Sequence, residues 1–152
     1  MFRGISELSL DPKGRLAIPS RFREVLDTLC RGQLVLTIDI QSVCLRLYPL
    51  PVWQELEARL EALPGTDPDV RRIQRLVLGY ASDLEMDGSG RILVPPVLRK
   101  HAQLDKRLVL VGQGRKFELW SEENWERAVD PDAIVRGEVQ VPAIIADSGI
   151  AL

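Results

Sequence analysis

The feature that most constrains this chain is that it says nearly everything twice. "DPKGRLAIP" begins at Asp11 and "DGSGRILVP" begins at Asp87, each reading Asp, two residues, Gly-Arg, three residues, Pro. The likeness extends well beyond nine residues. Alternating strands, "SELSLD" and "SDLEMD", precede the motifs, and short helical stretches, "SRFREVL" and "PVLRKHA", follow them. Then come the strands "QLVLTID" and "RLVLVGQ", and after these "CLRLY" and "KFELW", so that Tyr48 matches Trp120. Five residues later Trp53 matches Trp125, each opening a further helix. A period of about 75 residues is too long for a solenoid unit and fits two copies of one small α+β unit. With four short strands and one apolar helix face, each copy alone would bury little. Two copies pair most simply by completing one β-barrel between them, which removes unpaired edges. The expected fold class is therefore α+β, an intrachain pseudo-dimer of two βαβ-type repeats.

Between the copies, "TDPDVRRIQRLVLGYAS" carries a helix-start signature, Asp67 followed by Pro68 at the first helical position. Val70, Ile73, Leu76, Val77 and Tyr80 then form an apolar stripe. In "PVWQELEARLEALPG", Trp53, Leu56, Leu60 and Leu63 share a face, and Pro64-Gly65 ends the helix. These signals divide the chain into a first repeat (1–63), a linker helix (64–80), a second repeat (81–129) and a variable acidic tail (130–152) that is expected to be poorly ordered.

A net charge of -2 and a pI near 5.5 argue against a nucleic-acid binder until the distribution of charge is read. From Lys13 to Arg23 there are four basic residues and no acid, and from Arg91 to Arg107 five basic residues against Asp105 alone. The stretch from Glu118 to the end carries eight acids against two arginines, and so masks basic segments inside both copies. Local charge governs phosphate binding more than the total does. No apolar run reaches the length of about 18 residues that a membrane span needs. "MFRGISELSL" lacks the pattern of a secretory signal, so a cytosolic protein is expected. Cys30 and Cys44 are too few and too widely spaced for a disulfide framework or a metal site.

"DPKG" is a tight turn, with Asp first, Pro second and Gly fourth, and "DGSG" repeats it. In a hairpin of this length Asp11 faces Arg15 and Asp87 faces Arg91, so each Asp can hold a guanidinium and accept turn amides. Gly14 and Gly90 complete the turns, and Pro19 and Pro95 end the strands that follow. Two readings stay open on this evidence. The Asp–Arg pair pins the turn and does nothing more, as exposed pairs commonly do; or the loops present Arg15, Lys13 and Arg91 to phosphates or base edges, for which Arg is suited.

Rival chemistry is thin. His101, the one histidine, lies on a helix beside Arg99 and Lys100 with no nucleophile motif or orienting partner, and reads as part of a solvated basic face. "GQGRK" matches neither phosphate-loop nor dinucleotide fingerprints, and a hairpin turn explains it better. "DLEMD" lacks calcium-loop spacing. No catalytic residue, metal site or cofactor is expected, and no small-molecule substrate. A pure interaction module, with the basic loops on an acidic protein, stands as the other class.

Taken together, "MFRG", the two Asp-Gly-Arg motifs, "CLRLYPLPVW", "RRIQRLVLG" and "KFELW" resemble the MraZ family of bacterial transcriptional regulators, related to the AbrB/MazE swapped-hairpin DNA-binding domains. The resemblance runs from Met1 to about Trp125. It implies a double-split, swapped-hairpin β-barrel with packed helices, assembled as a ring-shaped homo-oligomer. It also implies sequence-specific binding to direct repeats in double-stranded DNA upstream of the division and cell-wall gene cluster, usually as a repressor of its own operon, and hence a nucleoid-associated protein. The family's D-x-x-x-R element maps onto Asp11, Arg15, Asp87 and Arg91, and Arg3 joins Lys13 among the expected DNA contacts. Lys13 has Ser89 as its counterpart, so the two loops are not equivalent.

Overall fold

The computed structural model describes residues 1–152. Its strands are β1 (Phe2–Ser9), β2 (Arg15–Ala17), β3 (Gln33–Ile38), β4 (Leu45–Pro49), β5 (Ser82–Glu85), β6 (Arg91–Leu93), β7 (Arg107–Gly114) and β8 (Phe117–Ser121). Its helices are α1 (Ser20–Cys30), α2 (Leu50–Glu61), α3 (Pro68–Val77), α4 (Pro96–His101), α5 (Glu122–Ala128), α6 (Asp132–Val135) and α7 (Ala143–Ala146). Each repeat thus supplies two strands, a helix, two more strands and a closing helix, in the same order.

The strands do not stay within their own copies. The main sheet is antiparallel with six strands in the order β1-β7-β8-β4-β3-β5, and β2 pairs with β6 as a separate two-stranded ribbon. The first strand of each repeat has therefore crossed to the other: β1 pairs with β7 and β5 with β3. At the centre β4 of the first copy pairs with β8 of the second. No ladder joins β1 to β5, so the hydrogen-bonded sheet is open rather than a closed barrel. The motifs also differ from the expected local hairpin. Asp11 N–H donates to Arg15 C=O at 2.9 Å, but the strand after the turn then leaves β1 and pairs with its counterpart from the other repeat.

One core serves both copies. Phe2 stacks on Phe117 with ring centroids 4.3 Å apart, and Phe22 meets Phe117 edge-on at 5.0 Å. Leu16 of β2 and Ile92 of β6 point into the same cluster, as do Leu26 of α1 and Leu98 of α4. Two smaller clusters repeat the duplication: Tyr48 against Trp53 at 5.6 Å and Trp120 against Trp125 at 5.7 Å pin α2 and α5 to the sheet. These helices start before their tryptophans, directly after Pro49 and Ser121. Leu63 lies past the end of α2 and is exposed, not on its buried face. Asp67 caps α3 by accepting from the amides of Asp69 and Val70. Gly114 ends β7 and Phe117 opens β8, so "GQGRK" runs from the end of β7 through the turn at Arg115 and Lys116, a hairpin as its composition predicts. The tail holds two single-turn helices, with Ile134, Val135 and Ile144 exposed. No helix is long and apolar enough to cross a membrane.

Candidate nucleic-acid interface

The two turns are built alike, atom for atom. Asp11 Oδ1 accepts from the amides of Lys13 (2.9 Å) and Arg15 (2.8 Å), and Oδ2 from Arg15 Nε (3.0 Å). Asp87 Oδ1 accepts from the amides of Ser89 and Arg91 (both 2.9 Å), and Oδ2 from Arg91 Nε (3.0 Å). Gly14 N–H and Gly90 N–H close the turns onto the carbonyls of Asp11 and Asp87 at 2.9 Å. The amide of Arg15, beside Asp11, holds its carboxyl below the ordinary carboxylate range; desolvation opposes this, and the Arg15 guanidinium and the Lys13 amide add to the lowering. Asp87 is lowered in the same way, led by the amide of Arg91. Each carboxylate is thereby fully committed to its turn. The chain's own hydrogen bonds engage only Nε of each arginine, so both Nη groups stay available.

Pairing of β2 with β6 then brings the two arginines together. Leu16 lies opposite Ile92, and both are buried. Alternation turns Arg15, Ala17, Arg91 and Leu93 to the other face. Arg15 is opposite Leu93 and Arg91 opposite Ala17, so the arginines occupy diagonal corners, about 7–8 Å apart by sheet geometry. The result is a single outward face bearing two braced guanidinium groups, with Lys13 exposed on the adjoining turn. Arg3 is not brought to this face. It stands near the opposite end of β1, paired with Gln113, with Ser9 at the end next to the first turn.

Each turn leans on the other repeat. Ile18 N–H donates to Gly90 C=O and Val94 N–H to Gly14 C=O, both at 2.8 Å. Gly14 (φ 86°) and Gly90 (φ 75°) have left-handed backbones that favour glycine. A Cβ on Gly14 would stand 2.7 Å from Cζ of Arg99, and one on Gly90 would meet the Arg23 side chain. Arg23 and Arg99 are equivalent, each twelve residues after its motif's Asp. That recurring spacing is the signal that could have marked them as part of the site. Their bonding differs: Arg23 Nε donates to Ile18 C=O at 2.7 Å, whereas Arg99 Nε is buried with no partner.

Elsewhere, Asp39, Cys44 and Glu118 bring three possible metal-binding atoms within 4.8 Å of one another. Protein donors already occupy the carboxylates. Asp39 accepts from Arg46 Nε at 2.6 Å and from the amides of Gln41 and Ser42, and Glu118 accepts from Trp120 Nε1 and Gln113 Nε2. Burial raises the Asp39 pKa, but these donors outweigh it and the group stays lowered. Burial pushes the Cys44 thiol far up, so it is no thiolate ligand at neutral pH. This is a partly buried ion pair, with Asp39 buried and Arg46 reaching the surface. His101 lies on α4 with its ring 6.2 Å from that of Tyr80.

A family model described as "MraZ protein, putative antitoxin-like" matches this chain twice, over residues 1–76 and 77–134. The protein named transcriptional regulator MraZ in Alkalilimnicola ehrlichii is 57% identical over 128 residues, covering 84% of this chain and 85% of that one. Its namesake in Halorhodospira halophila is 50% identical over 152 residues, covering 95% of this chain and all of the relative. That of Pseudomonas putida strain F1 is 52% identical over 147 residues, covering 97% and 95%. With both halves matched and half or more of the aligned residues shared with such relatives, this chain belongs to the MraZ family, a family of transcriptional regulators and not of enzymes.

Proposed function

We propose that the protein is a sequence-specific DNA-binding transcriptional regulator that reads duplex DNA with the outer face of the β2–β6 ribbon. The observation that carries this reading is the convergence of Arg15 and Arg91 on one face, each steered by a carboxylate that leaves its Nη groups unpaired. The major groove admits a two-stranded ribbon, and Arg is suited to bidentate contact with guanine or phosphate. Lys13, exposed beside Arg15, adds a backbone contact on the first turn. Arg3, remote along β1, serves as a peripheral contact. On the same reading the ribbon and the open six-stranded sheet together make a double-split, swapped-hairpin barrel, with Leu16 and Ile92 packing the ribbon onto the core shared by both repeats.

On this reading the protein acts on direct repeats upstream of its own division and cell-wall gene cluster, repressing it, in the nucleoid of the cytoplasm. A subunit with three or four phosphate contacts binds weakly at physiological salt. A ring of subunits engaging successive repeats raises avidity through effective concentration. Footprinting on the DNA upstream of the protein's own gene, with the mass in solution measured alongside, tests the reading. Protection of regularly spaced repeats by a multi-subunit species is expected. Equal affinity for a shuffled duplex would instead support an interaction module whose basic loops bind an acidic protein.

A further inference from the structure

The two turns have the same internal bonding but different surroundings, because each packs against the helix of the opposite repeat. The first turn meets α4 and the start of β7: Arg99 covers Gly14, and Leu10 N–H donates to Lys106 C=O at 2.8 Å. The second turn meets α1 and the start of β3: Arg23 covers Gly90, and Met86 N–H donates to Gly32 C=O at 2.8 Å. The residue after the covering arginine is Lys100 at the first turn and Glu24 at the second. The matching backbone acceptor belongs to Lys106 at the first and Gly32 at the second. Within the turns themselves Lys13 has Ser89 as its counterpart. All three differences place positive charge at the first turn.

These side chains share one concave surface, in which Asp11 and Pro12 of the turn line a basin with Arg99, Lys100, Asp105 and Lys106. Asp11 is spent on its turn, which leaves Asp105 as the other acid lining this basin, while Lys106 also borders an adjoining hollow with Glu122, Glu123 and Glu126. Lys100 and Lys106 are exposed. Arg99 lacks the Nε bond that ties down Arg23: its Nε is buried at the edge of the basin without a partner.

We infer that this basin is a second, asymmetric DNA-backbone site: Lys100 and Lys106, with Arg99, hold phosphates flanking the bases that the first end of the ribbon faces. The clamp rests on the ribbon being the DNA-reading face. It makes each subunit grip DNA more strongly through the first turn, and so gives the footprint on each repeat a direction. Phosphate contacts position the protein without carrying sequence information.

The test is a salt series of binding titrations, using the duplex upstream of the protein's own gene and a shuffled duplex, for full-length Lys100→Ala, Lys106→Ala, Glu24→Lys and Arg15→Ala proteins. Each lysine variant is expected to lower the slope of log affinity against log salt by about 0.9, with a several-fold loss on both duplexes and an unchanged ratio between them. Glu24→Lys is expected to raise the slope by a similar amount by giving the second turn the first turn's charge. Unchanged slopes in both lysine variants, with binding abolished by Arg15→Ala, would overturn the clamp and leave the ribbon reading intact. Arg15→Ala binding like wild type would overturn both. A changed preference between the duplexes in Lys100→Ala or Lys106→Ala would assign those residues to base reading and overturn the phosphate role.

Discussion

At the scale of single residues, the site depends on groups whose freedom has been removed. Asp11 and Asp87 are aiming devices: exposed Asp–Arg pairs contribute little to stability, but here the carboxylate also gathers two turn amides. Their pKa values are lowered, so their contribution is in place at neutral pH and is lost as pH falls below about 4 through the folded-state values. Carboxyl titration by NMR should place both midpoints below 3.8; ordinary midpoints would mean that the turns are not braced. Gly14→Ala should cost about 1–3 kcal/mol in chemical denaturation, since it imposes a left-handed backbone on a residue with a Cβ and displaces Arg99. Gly88→Ala, with open space around it, is the matched control and should be nearly silent. The bracing was legible in the sequence because turn chemistry is local. The covering arginines left only a recurring spacing, because the turns they cover lie on the other repeat.

At the scale of elements, what sequence could not reveal is which strand each strand chooses. Alternation in "RLAIP" and "RILVP" marks strands with one apolar face, but a local hairpin and a cross-repeat ribbon would bury the same Leu16 and Ile92. The choice is made by the core, where Phe117 of β8 sits between Phe2 and Phe22 from the other copy. Phe117→Ala should therefore cost about 3–5 kcal/mol, read as a lowered denaturation midpoint with the slope unchanged. A loss below about 1 kcal/mol would mean that the ring trio does not organise the interface between the repeats. Helix boundaries were legible where caps act locally, as at Asp67-Pro68, and were misplaced where the helix starts directly from a strand, as at Pro49 and Ser121.

At the scale of the whole molecule, the duplication is a mutual dependence. β1 and β5 lie on the opposite repeats' strands, and β4 joins β8 across the middle, so neither half has a complete sheet. Residues 1–76 expressed alone should not give a folded monomer: sedimentation should find self-paired dimers, or circular dichroism a disordered chain. A cooperatively unfolding monomer would contradict the exchange of strands. The same exchange places two copies of one turn beside different helices and gives them unlike charged neighbours. On the proposed reading the paired strands form one DNA-reading face through Arg15 and Arg91. Its most direct test is a mobility-shift titration of wild type, Arg15→Ala and Arg91→Ala on the duplex upstream of the protein's own gene, with mass and circular dichroism checked for each. Loss of binding in Arg15→Ala and a smaller loss in Arg91→Ala, with fold and oligomer size unchanged, is the predicted result; wild-type affinity in Arg15→Ala would contradict it.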